Sequence, residues 1–276
     1  MKVKHITDYL ESIAPLSLQE EYDNSGLLTG NQEDEVSGAL ICLDCTEAVV
    51  DEAIKRKLNL IIAHHPIIFG GLKKITGKNY VQRVVLKAIR NNIAIYAIHT
   101  NLDNVFEGVN KRICDKLGLG NCKFLLPSAL ALSPSGRVGS GAVRSGSGMI
   151  GTLSKPMTEI AFLKKVKKVF CVETQNIASL RYTSLKGKKV VKVAVCGGSG
   201  SFLLEAAIKA GADVFVTSDF KYHQFFDADN KLVIADIGHY EGEQFTKELI
   251  RDLLKEKFPI FATRLSEINT NPVNYL

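Results

Sequence analysis

The sequence predicts an α/β protein of two similar lobes, each a three-layer arrangement of a largely parallel sheet flanked by helices. Three observations predict this. Short apolar runs of strand length alternate with longer stretches of helical spacing. A segment of the first half is echoed in the second half. Five of the six histidines fall in four short polar clusters, most of them at the end of a strand-like run.

Residues 4–14 have the spacing of a helix. Ala39–Leu43 is an apolar strand, followed by a helix over Thr46–Lys57 with Thr46 as its N-cap. Leu60–Ala63 is a short strand ending at His64-His65-Pro66. Tyr80–Asn91 is helical, with Val81, Val84, Val85 and Ala88 on one face. Ile93–Ile98 is the next strand and ends at His99, and Gly108–Leu117 is a further helix. This alternation calls for parallel strands joined by helical crossovers. Ser133–Gly148 is rich in Gly and Ser and is expected to be a loop or linker. A helix near Met157–Phe170 and a strand at Val190–Cys196 follow.

The echo supplies the second lobe. At an offset of 154, Cys42 meets Cys196, Ala53-Ile54-Lys55 meets Ala207-Ile208-Lys209, and His64-His65 meets Ser218-Asp219. At an offset of 140, Ile93–His99 meets Val233–His239, so that His99 with Asp103 matches His239 with Glu243. The expected division is a first lobe at 1–125, a central segment at 126–185 and a second lobe at 186–276, with the polar strand ends of the two lobes facing a common cleft.

Composition narrows the function classes. At 276 residues the chain can bury a full core, and 46% hydrophobic with 23% charged residues is ordinary for a soluble protein. The apolar runs are too short to cross a bilayer. Asp8 and Glu11 interrupt the stretch where a signal peptide needs apolar residues, so a cytoplasmic location is expected. The net charge of +6 comes partly from lysine clusters such as Lys164-Lys165-Val166-Lys167-Lys168. These lack interleaved aromatics, and no nucleic-acid motif accompanies them, so a nucleic-acid partner is not expected. The motif Cys42-Leu43-Asp44-Cys45 has no second pair to make a zinc ribbon, and Cys42 lies inside an apolar run, so the cysteines are expected to be structural.

The clusters carry the chemistry. Histidine is the commonest metal ligand and the usual proton carrier near neutral pH. Ligands of open α/β sheets lie beyond the carboxyl ends of strands, where His64, His99 and His239 are placed. His64 and His65 are neighbours on an extended chain, so their side chains should diverge and serve two adjacent ions better than one. Asp103 and Glu243 are carboxylates able to span such a pair. Mixed imidazole and carboxylate ligation suits Zn, Fe, Mn or Co. His99, Tyr222 and His223 are candidates for orienting ligands or moving a proton, with His223 and His99 as the catalytic candidates. The run Cys196-Gly197-Gly198-Ser199-Gly200-Ser201 lacks the ending of a phosphate-binding loop and is expected to be a tight turn.

The motifs together resemble the Nif-three-like family (NGG-interacting factor three), also called the GTP cyclohydrolase type 2 homologues. The residues are Tyr22-Asp23-Asn24-Ser25-Gly26-Leu27, His64-His65-Pro66, His99-Thr100-Asn101-Leu102-Asp103, Ser218-Asp219-Phe220-Lys221-Tyr222-His223, Gly238-His239-Tyr240-Glu241-Gly242-Glu243 and Asn269-Thr270-Asn271-Pro272-Val273. The resemblance covers nearly the whole chain. It implies two divalent metal ions in the cleft between two α/β lobes, with His64, His65, Asp103, His239 and Glu243 as ligands and Glu243 bridging. It also implies a homo-oligomer, a hexameric ring. Two departures stand out. The family's tryptophan is Tyr22 here, and its central Gly-x-Gly-Arg-x-Gly pattern is matched by Gly146-Ser147-Gly148-Met149-Ile150-Gly151, where Met149 removes a contact for phosphate or carboxylate, or by Gly136-Arg137-Val138-Gly139, which keeps the arginine but lacks the first glycine. The expected function is a metal-dependent hydrolase acting on a nucleotide or phosphoester-like small molecule, with a non-catalytic metal-binding or regulatory oligomer as the alternative.

Overall fold

A computed structural model describes residues 1–128, 144–170 and 180–274. In chain order its elements are α1 (Val3–Ile13), β1 (Gly26–Thr29), β2 (Ala39–Asp44), α2 (Glu47–Lys55), β3 (Leu60–His65), α3 (Tyr80–Arg90), β4 (Ala94–Ala97), α4 (Thr100–Asp103), α5 (Val109–Leu117), β5 (Leu119–Pro127), β6 (Gly146–Thr158) and α6 (Glu159–Phe170). There follow β7 (Arg181–Tyr182), β8 (Lys189–Ser199), α7 (Leu204–Lys209), β9 (Val214–Ser218), β10 (Val233–Asp236), α8 (His239–Glu243), α9 (Thr246–Lys257) and β11 (Thr263–Leu265). Among the described residues, no helix is long and apolar enough to cross a membrane.

The chain forms two compact units, one of residues 1–102 with 246–271, the other of 103–245 with 272–276. These limits differ from the expected 1–125, 126–185 and 186–276. The reason is the C-terminal return. β11 lies parallel to β2, with Thr263 opposite Ala39, so the end of the chain completes the sheet of the first unit.

The first unit holds a five-stranded sheet in the order β1-β4-β3-β2-β11. β2, β3, β4 and β11 are parallel, and only β1 runs against its neighbour β4. Leu40, Ile61 and Ile95 are fully buried and pack with Val49, Val50, Val84 and Val85 of α2 and α3. On the other face Ile41, Ile62 and Tyr96 are fully buried and α9 packs on β2 and β11, so both faces are covered and β3 is apolar from Leu60 to Ala63 without alternation. Thr46 caps α2, its hydroxyl accepting from Val49 N at 3.4 Å.

The second unit holds a six-stranded sheet in the order β5-β6-β8-β9-β10-β7. It is mixed, a correction to the expected largely parallel sheet. β8, β9 and β10 are parallel, whereas β5 with β6, β6 with β8, and β10 with β7 are antiparallel. Parallel neighbours need a helical crossover. The links β8-α7-β9 and β9 to β10 supply crossovers, but β5 and β6 are consecutive strands with no helix between them among the described residues.

Gly146-Ser147-Gly148 lies in β6, although composition assigned it to a loop; residues 133–143 of that segment fall outside the described ones. The glycines are there for space. A Cβ on Gly146 would stand 2.6 Å from the Leu126 carbonyl, and one on Gly151 2.9 Å from the Leu119 Cβ. Met149, which one of the two matches sets against the family's arginine, is fully buried, and the rival match at 136–139 lies outside the described residues.

The echo between halves reappears as strand register. Ala39 faces Leu60 in the first sheet and Val193 faces Val214 in the second, each pair displaced by 154. The third strand differs by one residue from expectation. Leu60 faces Ala94 and Val214 faces Val233, a displacement of 139 rather than 140. His99 is thus the counterpart of Gly238, and His239 of Thr100. The helices α4 and α8 start at those counterpart positions, and Gly238, at φ +88°, turns the chain into α8.

Candidate metal centre

In the first unit, Asp44 ends β2, His65 ends β3 and His99 lies two residues beyond β4. These strands are parallel, so the three side chains share one edge of the sheet. The rings of His64 and His65 lie 5.0 Å apart, those of His64 and His99 5.2 Å, and those of His65 and His99 5.3 Å. Each imidazole offers one nitrogen to a group whose members lie within 4.8 Å of one another. The expected divergence of His64 and His65 is therefore corrected. The two rings tilt by only 44° and bring their nitrogens together, which strict alternation along a strand would forbid.

Each ring is fixed from behind. His64 Nδ1 lies 2.8 Å from the Ile98 carbonyl oxygen, His65 Nδ1 2.8 Å from Asp44 Oδ1, and His99 Nδ1 2.8 Å from Asp23 Oδ1. A carbonyl or carboxylate oxygen only accepts, so Nδ1 carries the proton in each case, and Nε2 is the nitrogen able to hold a cation.

The anchors are themselves held. Asp44 Oδ2 accepts from the Thr270 hydroxyl at 2.7 Å, which gives the Asn269–Val273 motif its purpose. Asp23 Oδ2 accepts from Thr100 N at 3.0 Å and from the Thr100 hydroxyl. Burial alone would raise the Asp23 carboxyl, but the hydrogen bonds from His99 and Thr100 outweigh it and hold it well below the usual carboxylate range. Ser25 Oγ accepts from His99 N at 3.2 Å, and the Asn24 side-chain amide donates to the Ile68 carbonyl oxygen at 2.6 Å. The Tyr22–Leu27 motif is thus the bracket of His99.

In the second unit the same device holds His239. Its Nδ1 lies 2.6 Å from Asp219 Oδ2, and its Nε2 lies 3.1 Å from Glu243 Oε2, one helical turn on. Burial lowers the basicity of His239, but the two carboxylates prevail and push its pKa up to about 11. A proton and a cation compete for that nitrogen. Asp103 and Glu243 bring carboxylate oxygens within 4.8 Å of each other. Asn110 steadies this region, donating to the Asp103 carbonyl at 3.1 Å and accepting from Gly197 N at 3.0 Å.

The glycines of Cys196–Ser201 belong to this support. The run continues β8 as far as Ser199, where a tight turn was expected. Gly198 has φ +60°, and a Cβ there would stand 2.2 Å from Glu243 Oε1. Cys196 is buried, and burial first, then the charges of Asp103 and Glu243, push its thiol far up. Burial likewise raises the Cys42 and Cys45 thiols, Cys45 to about 12, so these sulfurs stay protonated.

His223 lies outside these groups. It is exposed on a 3-10 helix, Tyr222–Ala228, with its ring 5.2 Å from that of Tyr222. The residues missed from sequence alone are Asp23, Asp44 and Asp219. Two of them had a visible signal, an acid at or just past the end of a strand that neighbours a histidine-bearing one.

The donor set fits divalent ions of the Zn, Fe, Mn or Co kind: imidazoles each held at Nδ1 by an oxygen, and paired carboxylates. If the anchors matter, Asp44→Ala should weaken divalent-ion binding about 10- to 100-fold while leaving the fold intact. Competition against a chelator of known affinity measures this, and an unchanged affinity would remove Asp44 from the site.

Known proteins bear on this geometry. A Clostridium acetobutylicum protein named GTP cyclohydrolase 1 type 2 homolog is 36% identical over 244 residues, spanning 88% of this chain and 85% of its own. A Staphylococcus epidermidis protein of the same name is 31% identical over 375 aligned positions that take in all of both chains. The crystal structure of a Staphylococcus aureus protein superposes with a TM-score of 0.87 at 29% identity, covering 100% of this chain and 99% of that one. A Bacillus cereus protein related to NIF3 gives 0.85 at 28% identity, with the same coverage. With the family's sequence model matched across residues 1–272, the chain belongs to the Duf34/NIF3 (NGG1p interacting factor 3) family.

Proposed function

We propose that this chain is a metal-dependent hydrolase in which His64, His65, Asp103, His239 and Glu243 together hold two divalent ions. Its substrate class is a nucleotide or phosphoester-like small molecule, in keeping with the name its relatives carry. The observation that carries the reading is the uniform anchoring of four imidazoles. His64, His65, His99 and His239 each have Nδ1 against an oxygen at 2.6–2.8 Å, an arrangement that presents Nε2 as a ligand. When bound, such ions acidify a water and polarise the bond it attacks.

The chain's own residues set the rest. Asp23, Asp44 and Asp219 fix tautomer and ring direction. Gly198 leaves room for the Glu243 carboxylate. His99, held by Asp23 beside His64 and His65, is placed to serve as a further ligand or to carry a proton.

The test is a screen of metal-replete protein against nucleotides and phosphoesters, with chelator-treated protein in parallel. Chelator-sensitive turnover of at least one class is expected. Metal-loaded protein that turns over none of them would overturn the hydrolase and leave a non-catalytic metal-binding protein.

A further inference from the structure

The second unit carries a cavity of about 620 Å³ between β7 and the 3-10 helix Tyr222–Ala228. That volume is in the range of small-ligand sites. Its lining includes Arg181, Tyr182, Tyr222, Phe226, Asp229 and Asn230. Three of these are aromatic rings left in water: Tyr182 is 48% exposed, Tyr222 73% and Phe226 67%. Exposing so much apolar ring surface around one cavity is unfavourable unless something flat covers it.

The rings are ordered among themselves. Tyr222 and Phe226 meet edge to face with centroids 5.7 Å apart, and His223 lies roughly parallel to Phe226 at 6.5 Å. Arg181 is also fixed. It pairs with Asp236, which is 1% exposed, and its guanidinium lies 5.5 Å from the Phe225 ring centre. Asp229 and Asn230, both in the left-handed region at φ +44° and +52°, bring a carboxylate and an amide to the lining.

The cavity shares its support with His239. Asp236 accepts from Phe220 N at 2.9 Å and from Gly238 N at 3.2 Å. Phe220 follows Asp219, the anchor of His239, and Gly238 precedes His239 itself. One buried carboxylate thus ties Arg181 to both arms that position the ligand.

We propose that this cavity binds the base of a nucleotide. The base stacks among Tyr182, Tyr222 and Phe226, Asp229 and Asn230 offer hydrogen bonds to its edge, and Arg181 favours the anionic phosphate. Aromatic stacking accepts any base, and the polar groups select among them. The inference deepens the hydrolase reading and rests on it for the choice of ligand class. On this view His223, a candidate proton carrier by sequence, backs the stacking platform.

The test uses the full chain, stripped of metal, titrated with guanosine 5′-monophosphate and separately with ribose 5-phosphate. The nucleotide should bind, and the sugar phosphate at least tenfold more weakly. Phe226→Ala and Tyr222→Ala, both at exposed positions, should each weaken nucleotide binding about fivefold or more, with metal loading unchanged. Equal binding of the sugar phosphate, no nucleotide binding, or wild-type affinity in both variants overturns the proposal. Nucleotide binding with the expected losses but without chelator-sensitive turnover upholds the cavity and sinks the hydrolase. Turnover with both variants at wild-type affinity does the reverse.

Discussion

Replacing His65 and Glu243 together by alanine is expected to take the purified protein from about two divalent ions per chain to well under one. His65 is the histidine that closes β3, with its ring fixed by Asp44, and Glu243 is a buried carboxylate against His239. On the proposed assignment each substitution removes a ligand atom rather than a support, so together they exceed the effect of losing an anchor such as Asp44. Elemental analysis after dialysis against metal-containing buffer reads the result. Full retention of metal would sink the ligand assignment. Losing Glu243 also removes the contact at His239 Nε2, and a loosened α8 would shed metal by a second route. His65→Ala with Glu243→Gln covers that outcome, since glutamine keeps the size and hydrogen-bonding reach of the side chain while removing its charge. A thermal melt close to wild type, combined with lost metal, separates ligation from folding.

The sequence made the first sheet and most of its surroundings legible because there the local signals agree. β3 is apolar throughout because both its faces are covered, and α2 opens on the capping threonine that its sequence advertises. Two elements were hidden. β11 is three residues long, Thr263–Leu265, and nothing local marks it as the strand that returns to β2. The start of β6 is rich in glycine, which is poor in strands by propensity, yet close approach of Leu126 and Leu119 requires it. The candidate ligands were visible as histidines and acids at strand ends. Their anchors were harder to read: Asp44 and Asp219 stand at or just past a strand end, and Asp23 looks like an ordinary loop acid until the fold sets it against His99. The one-residue shift that pairs His239 with Thr100 was hidden for a similar reason. Two His-x-x-x-acid patterns align by eye at an offset of 140, whereas the hydrogen-bond register of the parallel strands counts 139.

Gly198 offers the sharpest test of how this support is built. Gly198→Ala should lose bound metal and destabilise the protein by about 1–3 kcal/mol, the cost of a side chain in the left-handed region. The metal loss comes from a separate cause. The new Cβ would stand 2.2 Å from Glu243 Oε1 and 3.3 Å from His239 Cε1, so the Glu243 carboxylate must swing away. Gly187 separates the two effects. It has φ +72°, close to that of Gly198, and a Cβ there would meet nothing within 4 Å. Gly187→Ala should therefore pay the backbone cost and keep its metal, while Gly198→Ala pays the same cost and loses it. Metal content and thermal unfolding of the two variants, measured side by side, decide the matter. If both keep their metal, the close approach of Gly198 to Glu243 has no part in holding an ion, and the glycine serves only the turn of the strand. If both lose it, backbone strain alone explains the loss. Only a loss confined to Gly198→Ala ties the bare backbone at that position to the carboxylate it faces.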